Sequence, residues 1–232
     1  MRPNLDLLKK AYRTVVPSFV RKTKTASRIA GAASKIAAGI LGHDSVYSPE
    51  YYAKHVDAPA AKSADAMSDT IIEEFAPKSV VDVGCGTGYL LMVLKGRGLD
   101  TFGLEYSEAG LEYCRNRGLD VRKFDLENDK FTDARRFDVA VSVEVAEHLP
   151  AKIADSYVDL LTRFADRIVF TAAPPGQGGR DHVNEQPPEY WIEKFAKRSF
   201  VHDVALSNQW KEKWKARGVQ DWYHQNLMLF RK

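Results

Sequence analysis

From Asp57 onward the chain alternates short β-rich apolar runs with helical segments, and this alternation restricts the fold more than any other feature of its 232 residues. Ala64, Met67, Ile71, Ile72 and Phe75 fall on one helical stripe behind Asp57 and Pro59 and stop before Pro77, which predicts a first helix. Strands are then predicted over 79–83, 101–104, 121–124, 137–143 and 168–172, with helices over 89–95, 107–117 and 151–164. Strands that alternate with helices build right-handed βαβ units and a parallel sheet. Ligands of such sheets lie beyond the carboxyl ends of the strands, near the point where strand order reverses. The chemistry is therefore expected in the loops after Val83, Leu104, Phe124, Val143 and Ala172.

Composition removes other classes. Apolar residues make up 44% and charged residues 28%, which excludes a wholly disordered, collagen-like or disulfide-scaffold chain. Cys85 and Cys114 form no CxxC pair, so a reducing cytoplasm is the simpler expectation. No apolar run reaches the roughly 20 residues that span a bilayer; the best stretch, 29–43, is broken by Lys35. The net charge of +3 hides a split, because residues 1–40 carry +8 and the remainder −5. Residues 1–45 are thus read as a basic extension and 46–232 as the main domain. Leu5, Leu8, Tyr12, Val15 and Phe19 behind Asn4 predict an amphipathic helix interrupted near Pro17. Its possible contacts are anionic lipid, a nucleic acid or its own body.

The sharpest motif is Val80-Val81-Asp82-Val83-Gly84-Cys85-Gly86-Thr87-Gly88, a buried strand entering a glycine turn and then a helix. Glycine lets a ligand approach the backbone, and the helix start offers unpaired N–H groups. A dinucleotide fingerprint would place Gly or Ala at position 89, where Tyr89 stands, so a dehydrogenase is disfavoured. Glu105 ends the next strand, 21 residues beyond Gly84, where a carboxylate can accept both hydroxyls of a ribose. Asp125 follows the third strand, placed to receive an adenine amino group.

Together with Gly103-Leu104-Glu105-Tyr106-Ser107, Phe124-Asp125-Leu126 and Phe137-Asp138-Val139-Ala140-Val141-Ser142, the glycine motif resembles the successive motifs of class I S-adenosylmethionine-dependent methyltransferases over roughly residues 57–172. The resemblance implies a doubly wound, mostly parallel seven-stranded α/β sheet, here with a helical basic extension at the N-terminus. The last strand would be antiparallel, with 222–230 as its candidate. It further implies that Asp82 and the Gly84-Cys85-Gly86 backbone hold the methionine part of S-adenosylmethionine. Glu105 would hold the ribose, Tyr106 would lie on adenine, and Asp125 with Leu126 would read its polar edge.

Acceptor-side candidates follow the fourth and fifth strands. If the turn at Glu144-Val145-Ala146-Glu147-His148 is helical, Glu144, Glu147 and His148 share a face. His182 follows the loop Gly176-Gln177-Gly178-Gly179. A hydroxyl acceptor must lose its proton, and His148, His182 and Glu147 are the candidate catalytic groups. Glu144, Glu147, His148 and His182 also resemble the ExxEH…H metal pattern of ubiquinone-pathway O-methyltransferases and small-RNA 2′-O-methyltransferases, which would imply a divalent ion. The Asn/Asp-Pro-Pro-aromatic motif of amino-group methyltransferases is missing where Ser142-Val143-Glu144-Val145 stands, so oxygen is the expected acceptor atom. Three readings follow. The first is O-methylation of a small-molecule or saccharide hydroxyl, the second a metal-dependent RNA 2′-O-methyltransferase using the basic arm, and the third a non-catalytic cofactor-binding scaffold docked on a membrane or partner. The loop 174–188 and the segment holding Tyr47, Tyr51 and Tyr52 are expected to close over the site. Trp191, Trp210, Trp214 and Trp222, with Tyr190 and Tyr223 beside them, are expected mainly in core packing, the alternative being the lining of an acceptor pocket for a sugar or another ring-bearing molecule.

Overall fold

The computed structural model describes residues 49–232; the predicted N-terminal helix, the boundary at 45 and Tyr47 lie outside them. The strands are β1 (Ser79–Val83), β2 (Asp100–Glu105), β3 (Val121–Lys123), β4 (Val139–Val143), β5 (Arg167–Thr171), β6 (Val201–His202) and β7 (Met228–Arg231). They form one sheet in the order β3-β2-β1-β4-β5-β7-β6. β1 pairs in parallel with β2 and β4, whereas β7 runs antiparallel to β5 and β6. The helices are α1 (Ala58–Phe75), α2 (Tyr89–Gly96), α3 (Glu108–Asn116), α4 (Ala154–Phe164), α5 (Pro188–Ala196), α6 (Val204–Ala216) and α7 (Asp221–Gln225).

Side chains on β1 alternate between two cores, as the pleat requires. Val81 and Val83 join Phe102, Phe137, Phe164 and Trp191 on one face, and Val80 joins Met67, Ile71, Leu94, Trp210 and Trp214 on the other. Because helices cover both faces, β1 reads as a nearly continuous apolar run rather than an alternating one. Asp82 is the exception to that run, and it is buried.

Two expectations need correction. The final strand does not begin at Trp222, since 221–225 is helix α7 and β7 starts at Met228. The continuously buried run that an interior strand requires begins only at Leu227, while Trp222 and Gln225 remain exposed. Nor does Asp57 open a helix. Helical backbone already runs from Pro49, passes through a π-helical stretch, Tyr52–Asp57, and continues into α1. Pro59 explains the irregularity: it has no N–H to donate and its ring crowds the carbonyl four residues back, so a regular α-helix cannot pass through it. The chain answers with a wider turn, in which the Ala58 N–H reaches the Ala53 carbonyl five residues back.

Candidate active site at the strand switch point

Strand order reverses between β1 and β4, and a cavity of about 740 Å³ opens at the carboxyl ends of β1, β2 and β4. Of the residues expected from sequence, Gly84, Gly86, Glu105, Tyr106, Asp125, Leu126, Glu144 and His148 line it, whereas Asp82, Cys85, Glu147 and His182 stand behind the wall.

The side of the cavity at the glycine turn is built largely from main chain. Gly84 and Gly86 adopt φ of +78° and +57°, which L side chains rarely tolerate. A Cβ on Gly84 would come within 2.5 Å of Val145, and one on Gly86 within 2.9 Å of Val56. The Cys85 sulfur turns away and packs on β2 at Gly103. Glu105 is buried, and its Oε2 accepts the Gly86 N–H at 2.7 Å. Its Oε1 accepts the Ser107 N–H at 2.8 Å and the Tyr52 hydroxyl at 3.3 Å. Burial raises the Glu105 carboxyl above its ordinary pKa, and these donors only partly oppose the rise. Asp82 is pushed up to about 7, first by burial and then by the charge of Glu105. Asp125 folds over its own turn, accepting the Glu127 N–H at 2.8 Å and the Asn128 side chain at 2.9 Å.

On the acceptor side the turn after β4 is not α-helical. Glu144 has φ of +54°, and only Ala146–His148 forms a 3-10 turn. Glu144 therefore leaves the expected shared face. Its carboxylate accepts the Thr171 hydroxyl at 2.7 Å and the side-chain amides of Gln177 and Asn226 at 3.1 Å each, which ties the loops after β4, β5 and α7 together. A non-glycine residue in this conformation is held only by such surroundings.

Glu147, His148 and His182 do converge, each offering a ligand atom within 4.8 Å of the others. The backbone accounts for this meeting of distant loops. The Glu147 carbonyl accepts the N–H groups of Val183 at 2.8 Å and Asn184 at 3.0 Å, which docks the loop after β5 on the 3-10 turn. The two imidazoles then meet edge to face with centroids 4.9 Å apart. His182 Nδ1 lies 2.9 Å from Glu185, whose carboxylate also receives the N–H groups of Gly176 and Gly178 at 2.8 and 2.7 Å. Partial burial is the largest single influence on Glu185 and pushes its pKa up, but the His182 and backbone hydrogen bonds outweigh it and hold the group below the usual range. Glu147 is completely buried with neither oxygen in a well-formed hydrogen bond. Burial, then the nearby Glu144 carboxylate, drive its carboxyl well above the ordinary value.

The mouth is apolar. Leu149, Pro150, Val183, Trp222 and Tyr106 line it, the last three with substantial exposure. Tyr51 and Tyr52 line it too, and Arg180 from the loop after β5 lies over the Tyr51 ring at 4.7 Å. Thr171 and Asn226 escaped the sequence reading, which also gave Ser107 and Glu185 no role; Tyr223, beside Trp222, lines the cavity. The acid three residues after His182 was the available signal for Glu185. Trp191, Trp210 and Trp214 are buried, and Trp222 alone of the four tryptophans reaches the cavity.

Comparison with solved structures decides the fold. A plantazolicin methyltransferase in complex with SAH superposes with a TM-score of 0.58 at 14% identity, covering 90% of this chain and 98% of its own. A magnesium protoporphyrin IX methyltransferase from Synechocystis with bound SAH gives 0.53 at 16% identity, over 63% of this chain and 76% of its own. The chain has the class I methyltransferase fold. The family described as methionine biosynthesis protein MetW matches residues 68–176 of this methyltransferase-like domain. Curated relatives named ubiquinone biosynthesis O-methyltransferase match it as well. That of Methylococcus capsulatus is 37% identical over 81 residues, 32% of this chain and 34% of the relative. That of Pseudomonas paraeruginosa is 31% identical over 121 residues, 50% of this chain and 48% of the relative. The chain thus spans about a third to a half of the length of these relatives.

Proposed function

We propose that the chain is an S-adenosylmethionine-dependent O-methyltransferase acting on the hydroxyl of a small, ring-bearing, uncharged molecule. One observation carries this reading: a single cavity joins the glycine turn and Glu105 on one side to His148 and an apolar mouth on the other. Its walls fit the cofactor. The glycines leave a cradle that a Cβ would fill, and the Ser107 hydroxyl lines the cavity buried and without a partner. Asp82 and Glu105 are buried acids that raise each other's energy, so a cationic ligand rich in hydroxyl donors relieves both. Gly84 and Gly86 would hold the methionine part, with Asp82 supplying charge from behind the turn. Glu105 would accept the ribose, and Tyr106, Asp125 and Leu126 would meet the adenine.

When bound, S-adenosylmethionine supplies an electrophilic methyl group on a sulfonium. The residues of the chain do the rest by position and proton transfer. Leu149, Pro150, Val183 and Trp222 orient the acceptor ring and exclude water. His148, the imidazole on the cavity wall, accepts the hydroxyl proton. His182 steadies it edge-on, Glu185 sets the tautomer of His182, and Glu147 supports the pair from the interior. Among the described residues, the cavity wall carries Glu105, Asp125, Glu127, Glu144 and Asp181 and no Lys or Arg, an electrostatic setting that repels a phosphate-rich acceptor such as RNA. No helix among the described residues is long and apolar enough to cross a membrane. The unbridged Cys85 and Cys114 support a reducing, cytoplasmic setting.

A second reading rests on the buried Glu147 oxygens that lack partners. Glu147, His148 and His182 would suit a borderline divalent ion such as zinc or manganese, which would polarise the acceptor hydroxyl; Glu144, bonded elsewhere, would not join them. Calorimetric titration with S-adenosylmethionine and SAH, with and without chelator, followed by methyl transfer to a panel of phenols, sugars and short RNAs, tests both readings. Turnover of uncharged ring hydroxyls that survives chelation supports the first. Chelator-sensitive turnover restored by zinc or manganese supports the second. Tight binding without turnover of any acceptor leaves a scaffold.

A further inference from the structure

The Glu105 carboxylate is already well occupied. Two carboxylate oxygens offer about four lone-pair sites, and at least three are taken by the Gly86 N–H, the Ser107 N–H and the Tyr52 hydroxyl, with the Tyr106 N–H also directed at the carboxylate. A ribose diol asks for two. The backbone donors belong to the glycine turn and the start of α3 and cannot leave without dismantling them. Tyr52 holds the longest of the three bonds, at 3.3 Å, and it comes from a different segment.

That segment has an irregular backbone. Tyr52 begins the π-helical stretch Tyr52–Asp57, a rare geometry imposed just ahead of Pro59. Its downstream end is pinned, because Arg117 holds Asp57 at 2.7 Å and the Thr87 carbonyl at 2.5 Å. The upstream end is held by side-chain contacts, with Tyr51 stacked on His55 and lying beneath Arg180. Any change of spacing in this stretch about the Asp57 pivot would rotate Tyr52 around the helix axis and carry Val56 off the glycine turn. As it stands, Tyr52 is only 6% exposed, and its ring lies 3.1 Å from where a Cβ on Gly110 would be.

We propose that Tyr52 is an internal stand-in for a ribose hydroxyl: it satisfies Glu105 in the ligand-free chain and is displaced by a nucleoside diol, which couples cofactor occupancy to movement of the 52–57 segment. This rests on the cofactor reading above. The decisive measurement is calorimetric binding of SAH, adenosine and 2′,3′-dideoxyadenosine to the full chain and to Tyr52→Phe. Removing the competing hydroxyl is expected to tighten SAH and adenosine three- to tenfold and to leave the dideoxynucleoside unchanged. Equal or weaker SAH binding by Tyr52→Phe, or an equal gain for the dideoxynucleoside, overturns the proposal while the cofactor reading stands. Failure of SAH to bind either protein brings down both. Nitration of Tyr52 in the wild-type chain, followed by peptide mapping, gives an answer even if the variant does not fold. SAH is expected to accelerate modification of Tyr52, and protection or no change refutes displacement.

Discussion

The two halves of the cavity are built by different means. The cofactor half uses main chain and strand ends between residues 84 and 128, each within one or two βα units of its neighbour. The acceptor half is assembled from loops far apart in sequence: His148 meets His182, and Glu144 meets Asn226, 82 residues away. Under the proposed function, a glycine turn and a carboxylate would serve any adenosyl ligand, whereas rings, imidazoles and their supports would define a particular acceptor. The binding half is therefore expected to tolerate changes in the acceptor half, and the reverse holds less well because a methyl donor must be present for turnover.

The largest expected effect separates the halves most cleanly. His148→Ala should cut turnover by about a thousandfold, within the range that a positioned acid or base contributes, while SAH affinity measured by calorimetry stays within about twofold. A comparable loss of affinity would show that the halves are not independent. Glu105→Ala should weaken SAH by about a hundredfold, the effect of removing two charge-assisted hydrogen bonds to a buried carboxylate. Retention of full affinity would place the ribose elsewhere.

Asp82→Asn probes the electrostatic cost of the cofactor half. Because the folded carboxyl is raised from 3.8 to about 7, the native state binds more protons than the unfolded chain between those values. The contribution of Asp82 to stability is thus fully present below about pH 4 and is lost as pH rises through 7. The variant should leave the melting temperature near pH 4 little changed. It should raise that of the ligand-free protein at pH 8, by an amount on the order of a few kcal/mol in stability. A destabilised variant at pH 8 would mean that Asp82 has a buried cationic partner. The smallest effect is expected at Glu185, which acts through His182. Glu185→Gln should lower kcat about tenfold and shift the pH–rate profile while leaving SAH affinity unchanged. An unaltered pH profile would reduce Glu185 to a loop clip for Gly176 and Gly178.

Legibility in the sequence follows the same division. Strand β1 and the placement of Glu105, Asp125 and their neighbours could be read because apolar runs, glycine turns and strand ends are local signals. Spacing was a poor guide at Glu144, where the assumption of an α-helical turn failed. The positive φ there is stabilised by Thr171, Gln177 and Asn226, none of them within a helical turn of it. Glu185 was passed over because an acid three residues after a histidine is common on surfaces, and only the docked loop gives it a role. The π-helical turn ahead of Pro59 was likewise hidden, since proline announces a helix start as readily as an interruption.

By itself the sequence determined the α/β class, the parallel core and the glycine turn beside Glu105, because hydrophobic period and glycine geometry act over a few residues. Only the tertiary structure decided which imidazole faces the cavity, which acid stands behind it and that Tyr52 occupies Glu105. Those contacts join segments tens of residues apart, and they exist only once the sheet has set its strand order and the loops have docked across it.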